Sequence, residues 1–186
     1  MRNLFLHHPF IDRFDRDAFR VRLAKHLRNW GIAYLLLIVA TALFQTHFGF
    51  GLNASPSLPY RFFLIHKGEL PQRGEYIAFH WHGGGPYPGG VTFVKIVAGM
   101  AGDTVTRADR DFFVNGTHVG QAKTVSRQGV PLELGPTGVL PAGRFYVRAP
   151  HPDSLDSRYR LTGWVEEEQI IGRAYVCLLY TSPSPR

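Results

Sequence analysis

The chain changes character near residue 50, where a long hydrophobic run gives way to short alternating segments. Trp30 to Phe44 are fifteen residues without a charge, and the uncharged run continues to Phe50. At about 1.5 Å per residue, residues 30–50 span roughly 31 Å as a helix, which matches the hydrocarbon thickness of a bilayer. We therefore predict a single transmembrane helix at residues 30–50. The alternative for the strict fifteen-residue run is the buried core helix of a soluble domain.

A basic segment precedes this run. Residues 1–28 contain seven Lys and Arg residues against three Asp residues, so they carry +4 of the formal net charge of +7. Residues 9–28 fit an amphipathic helix that lies on an anionic lipid surface. The hydrophobic run begins too late for a cleavable signal peptide. Positive charge before a span favours the cytoplasm, so we predict a cytoplasmic basic arm at 1–29 and a periplasmic remainder, anchored in the bacterial inner membrane.

Beyond Pro59 the pattern predicts a mainly β domain with long loops, over residues 51–176. Short runs rich in β-branched and aromatic residues alternate with Gly, Pro and Asn. The predicted strands are 61–66, 75–81, 91–97, 104–107, 111–114, 143–148 and 170–176. Asn115-Gly116, between two such runs, indicates a tight hairpin.

Composition narrows the function classes. The remaining charge of +3 is spread thinly over more than 150 residues, which argues against a nucleic-acid partner. The single cysteine, Cys177, excludes an intramolecular disulfide. His80-Trp81-His82 has no further ligands at metal-binding spacing, so we expect no metal and no cofactor.

The polar segment Asn53 to Pro59 supplies a candidate nucleophile, Ser57. A serine hydroxyl needs a base within hydrogen-bond reach. Lys95 is the candidate, because it is the one charge in the strand-like run Val91 to Val97. A lysine on the buried face of a strand loses hydration, which lowers its pKa and makes the neutral amine accessible. The alternative is a loop serine and a lysine whose amine reaches water.

Four blocks in order resemble the conjugative-transfer signal peptidases (TraF-like), a branch of the signal peptidase I superfamily. The Asn53 to Pro59 segment is similar to its nucleophile segment, and Arg73 to Phe79 to its Arg-Gly-Asp strand. Phe93 to Asp103 resembles the catalytic-lysine strand with its Gly-Asp turn, and Ser154 to Tyr159 the last motif, Ser-x-Asp-Ser-Arg-Tyr. Leu58 stands where general signal peptidases carry methionine, which favours the TraF-like branch.

The resemblance implies a signal-peptidase β-barrel and a Ser/Lys dyad. It implies that Ser57 attacks the scissile carbonyl and that Lys95 acts first as general base and then as general acid. It also implies that the Ser55 hydroxyl stabilises the oxyanion. Ser154 and Asp156 match positions that orient the lysine, and Arg158 matches the partner of the aspartate. Ser55 is also the rival nucleophile, and a purely structural Asp156–Arg158 ion pair is the alternative for the last motif.

Three functions follow as hypotheses. The first is a membrane-anchored serine endopeptidase that cleaves signal or leader peptides from exported precursors, with propilin for conjugation as the expected substrate. The second is a general type I signal peptidase. The third is a non-catalytic periplasmic assembly protein. A LexA-like self-cleaving regulator would need a DNA-binding domain in the part of the chain where we predict a transmembrane helix. Residues 177–186 match nothing expected there and are set apart as a tail of doubtful origin.

Overall fold

The computed structural model of the protein describes residues 16–177. The first fifteen residues of the predicted basic arm, and the predicted tail from residue 178 onward, lie outside the described residues. The chain divides into two compact units, the second of which begins at Thr46.

The described part of the first unit is helical. A single helix, α1, runs from Arg16 to His47, and from Ala18 onward it is long and apolar enough to cross a membrane. Residues 16–28 of the basic segment and most of the uncharged run therefore belong to one continuous helix. The last three residues of the predicted span, 48–50, are instead in a strand. Gly49 and Gly51 disfavour helix here, and the backbone of this stretch pairs with another strand.

The second unit is mainly β, as predicted. Its strands are β1 (Phe48–Leu52), β2 (Phe62–Lys67), β3 (Tyr76–His80), β4 (Thr92–Gly99), β5 (Thr104–Ala108), β6 (Asp111–Val114), β7 (Thr117–Gln121), β8 (Gly138–Val139), β9 (Arg144–Arg148), β10 (Val165–Glu166) and β11 (Ile170–Val176), with a 3-10 turn at Glu167–Gln169. The predicted hairpin at Asn115-Gly116 is confirmed, and both turn residues have positive φ.

The strands form two antiparallel sheets. The larger has the order β1-β2-β11-β3-β4-β9-β10 and the smaller the order β7-β6-β5-β8. Their end strands do not pair with each other in the described residues, so the predicted barrel is observed as two open sheets. In the larger sheet β11 lies between β2 and β3. Gly172 allows this close approach, because a side chain there would overlap the carbonyl oxygen of His66.

The core forms where β9 of the larger sheet packs against the smaller sheet. Successive side chains of a strand point to opposite faces, so Phe145 and Val147 join one apolar cluster while Tyr146 joins another. All three side chains are buried. β4, which is the neighbour of β9, is therefore held rigidly, and it carries Lys95.

Candidate active site

The segment with the predicted nucleophile is the loop between β1 and β2. The backbone N–H of Asn53 donates to the carbonyl of Arg61 at 2.8 Å and closes the loop. The Asn53 amide also donates to the carbonyls of Leu58 and Tyr60. Leu58 is buried in the core beneath the loop. The loop is thus fixed by one asparagine and one apolar anchor, and it presents its two serines from a rigid base.

Ser55 and Ser57 lie side by side in this loop. Their Oγ atoms are 2.8 Å apart, and Ser55 Oγ donates to Asn53 Oδ1 at 2.9 Å. Ser57 Oγ also lies 3.4 Å from Asn53 Oδ1, so either serine can be the donor in the contact between the two hydroxyl groups. Ser57 is buried and Ser55 is half-buried. Asn53 therefore orients both hydroxyl groups.

Lys95 is buried on β4, as expected, with 5% of its surface exposed. Its Nζ donates to Ser154 Oγ at 2.7 Å and lies 5.5 Å from the centre of the Phe93 ring. Burial lowers the pKa of Lys95 from 10.5 to about 8, although the nearby Asp156 carboxylate opposes this shift. About one amine in ten is then neutral at pH 7.

Ser57 and Lys95 line the same cavity, which has a volume of about 1330 Å³. No hydrogen bond joins them among residues 16–177. The Ser57 hydroxyl points toward Ser55, and the Lys95 amine is held by Ser154. The structure thus brings both predicted catalytic residues to one cavity without joining them as a pair. Hydrogen bonds of an active site often tighten only when substrate binds.

The last predicted motif is packed against β9. Ser157 exchanges two hydrogen bonds with the backbone of Val147, and Asp156 accepts one from the N–H of Ala149. Arg158 binds Asp156 in bidentate fashion, through Nε at 2.8 Å and Nη2 at 2.9 Å. Both side chains are almost completely buried. The ion pair is present, and it braces the segment from which Ser154 reaches Lys95.

We expect Arg158→Met to lower the free energy of unfolding by about 3–5 kcal/mol, because it leaves the buried Asp156 carboxylate without its partner. Urea titration followed by tryptophan fluorescence measures this. Arg160→Met is the matched control, since the Arg160–Glu133 pair is mostly exposed and should contribute less than about 1 kcal/mol. Equal losses in the two variants would contradict a structural role for the buried pair.

Two of the four blocks that resemble signal peptidases, Arg73 to Phe79 and Phe93 to Asp103, contact each other away from the cavity. Arg73 donates to Asp103 at 2.6 Å, and Asn115 donates to the same carboxylate at 2.7 Å. Asp103 also accepts from the N–H of Met100 and closes the Gly-Asp turn. These residues fix the junction where β4 passes into the small sheet, so they support the Lys95 strand from its far end.

Sequence reasoning missed two parts of the site. Asn53 lies two residues before Ser55, a spacing typical of an Asx turn, and that signal was available. The second part is the loop after β7, where most residues between Lys123 and Glu133 line the cavity. This loop has no periodic pattern, and distant residues hold it in place, so no local signal identified it.

The fold and the cavity define a mainly β protein with a serine loop and a buried lysine. The chain belongs to the peptidase S26 signal peptidase family, whose model matches residues 23–179. Members of this family are serine peptidases that cleave signal peptides from exported precursors. The chain is also similar to a signal peptidase I from Enterococcus faecalis V583, with 27% identity and a TM-score of 0.38 over 56% of this chain and 97% of that one. A comparison with curated proteins gave no match.

Proposed function

We propose that this protein is a membrane-anchored Ser/Lys endopeptidase in which Ser57 is the nucleophile and Lys95 the general base. The observation that carries the proposal is the buried lysine, with its pKa lowered to about 8, in the cavity that also contains Ser57. A lysine with this pKa supplies a neutral amine near physiological pH, which is the requirement for a base.

In the proposed reaction Ser57 Oγ attacks the scissile carbonyl and its proton passes to the neutral Lys95 amine. The Ser57 side chain first turns from Ser55 toward Lys95. The C–N bond then breaks, and the Lys95 ammonium returns the proton to the leaving amine. Water hydrolyses the acyl-enzyme with Lys95 again as base.

The remaining site residues support this chemistry. The Ser57 N–H and the Ser55 hydroxyl stabilise the oxyanion, once Ser55 turns its proton from Asn53 to the substrate. Ser154 holds the lysine amine by its 2.7 Å hydrogen bond, while Asp156 and Arg158 hold the Ser154 segment in place. No metal or cofactor is needed for any of these steps.

The proposed substrates are exported precursors, and propilin for conjugative transfer in particular. The resemblance to the TraF-like branch, including Leu58 beside the nucleophile, supports this choice over a general signal peptidase. The test incubates the purified full chain in detergent with a propilin and with a general secretory precursor, each with a small-residue cleavage site, and locates the cuts by mass spectrometry. Cleavage of propilin alone supports the proposal, and equal cleavage of both favours the general enzyme. No cleavage of either favours a non-catalytic assembly protein.

We further propose that α1 anchors the chain in the inner membrane lipid with its N-terminus in the cytoplasm, because the positive charges precede the uncharged run. A reporter active only in the periplasm, fused after Tyr175, should then be active, and a cytoplasmic reporter at the same position should be silent. The matched control places the same reporters before Trp30. The reverse pattern would show that the orientation is wrong.

A further inference from the structure

The loop after β7 forms a hairpin. The N–H of Leu132 donates to Thr124 O at 2.9 Å, and the N–H of Ser126 donates to Val130 O at 2.8 Å. Val125 and Pro131 pair as an isolated bridge between these two contacts. We call residues 124–132 the cavity hairpin, because most of them line the cavity that also contains Ser57 and Lys95.

Apolar side chains of the hairpin are exposed on this cavity. Val125 is 45% exposed and Val130 is 55% exposed, and both belong to the cavity lining. β-branched side chains left uncovered at the wall of a large cleft are typical of a binding surface. They fit an extended peptide that carries apolar side chains beside its scissile bond.

The root and the tip of the hairpin are held differently. At the root, Arg110 donates to the carbonyls of Ala122, Lys123 and Leu132. A second anchor is the Asp153 carboxylate, which pairs with one residue beside the root, Lys123, and with one near the tip, Arg127. Asp153 binds Lys123 Nζ and binds Arg127 Nε at 2.8 Å.

Asp153 is well placed to connect the hairpin with the catalytic segment. Its side chain is only 19% exposed, and it directly precedes Ser154, which binds Lys95. The hydrogen bonds from Lys123 and Arg127 lower the pKa of Asp153 to about 2, so the carboxylate stays charged at any working pH. The two ion pairs therefore persist wherever the enzyme works.

We propose that Asp153 is a positioning residue that sets the cavity hairpin against the substrate, and that Val125 and Val130 contact apolar residues of the precursor near the cleavage site. The inference deepens the proposed function and rests on it for the identity of the substrate. It predicts that Asp153 governs the binding of long precursors and leaves the chemical step unchanged.

The test measures binding and cleavage separately. Binding uses the full chain with Ser57→Ala, so that catalysis is not required. The probes are a labelled 20-residue peptide with apolar residues on both sides of a small-residue cleavage site and a six-residue peptide with the same centre. Adding Asp153→Asn should raise Kd for the long peptide about 3- to 10-fold, the effect of losing two ion pairs, and leave the short peptide unchanged.

Further variants separate the two parts of the proposal. Asp153→Glu should recover most of the affinity for the long peptide. Val130→Asn should raise Kd for the long peptide to a similar degree as Asp153→Asn. Glu69→Gln is the matched control, because Glu69 also binds several partners but lies outside the cavity lining. In the active enzyme, Asp153→Asn should raise KM for the long peptide, while kcat and its pH profile stay unchanged.

Other outcomes overturn the inference. If Asp153→Asn weakens the binding of both peptides equally, or shifts the pH profile of kcat, then Asp153 acts through Ser154 and Lys95 and not through the hairpin. Unchanged affinity for the long peptide in a variant that melts like wild type would also refute it. A wild-type enzyme that cleaves neither peptide would refute the proposed function, whereas the binding measurements would still decide the role of Asp153.

Discussion

We expect Ser57→Ala to abolish precursor cleavage and Ser55→Ala to slow it by about 10²- to 10³-fold, the cost of losing one oxyanion donor. The two hydroxyl groups are 2.8 Å apart and share Asn53, so position alone does not assign their roles. Burial distinguishes them: Ser57 is buried next to the anchored Leu58, whereas Ser55 is half-buried. Cleavage rates of purified variants, measured with one precursor, provide the test.

Thr106→Ala is the control for this experiment, since it removes an exposed hydroxyl on β5. The converse pattern, with Ser55 essential and Ser57 dispensable, would assign the nucleophile to Ser55. Wild-type activity in both variants would favour the non-catalytic hypothesis. Labelling with a serine-directed electrophile, followed by peptide mass spectrometry, identifies the reactive residue independently of rates.

We expect Lys95→Arg to be as inactive as Lys95→Ala, because a guanidinium stays protonated at every workable pH and cannot act as a base. If Lys95 is the base, only the neutral amine is competent in the wild-type enzyme. Its fraction grows with pH, so the rate should rise about tenfold per pH unit well below pH 8 and level off above it. Initial rates between pH 6 and pH 10 measure both effects.

A lysine that only steers substrate or supports the fold would tolerate arginine, which keeps the charge. Substantial cleavage by Lys95→Arg would therefore refute the Ser/Lys mechanism even if Ser57 is essential. Circular dichroism of each variant shows whether lost activity reflects lost folding. Lys67→Arg, at an exposed position at the end of β2, serves as the control for the substitution itself.

The predictions from sequence succeeded where the signal is local. β-Branched and aromatic residues in runs such as 111–114 identified the strands, and Asn115-Gly116 identified a hairpin, because each signal depends on a few adjacent residues. The burial of Lys95 was also predictable, since it is the one charge within an apolar strand. The resemblance suggests that Lys95 and Ser57 act as a pair, and this stays a prediction.

The failures have long-range causes. Residues 48–52 continue the apolar run of the helix, and although Gly49 and Gly51 disfavour helix, it is their pairing with β2 that makes them a strand. The cavity hairpin is irregular in sequence and is held by Arg110 and Asp153, which lie outside it. Contacts of this kind leave no periodic pattern in the residues that they position.

The central place of β11 in the large sheet has a consequence for the order of folding. Gly172 pairs with Lys67 across a separation of more than one hundred residues, and β11 joins β2 to β3. Before residues 170–176 have been synthesised, β1 and β2 cannot join the rest of the sheet. Closing such a distant pairing is a slow step. The serine loop between β1 and β2 can therefore reach its final support only late in folding, so a nascent chain lacks a complete active site until almost its whole domain has emerged.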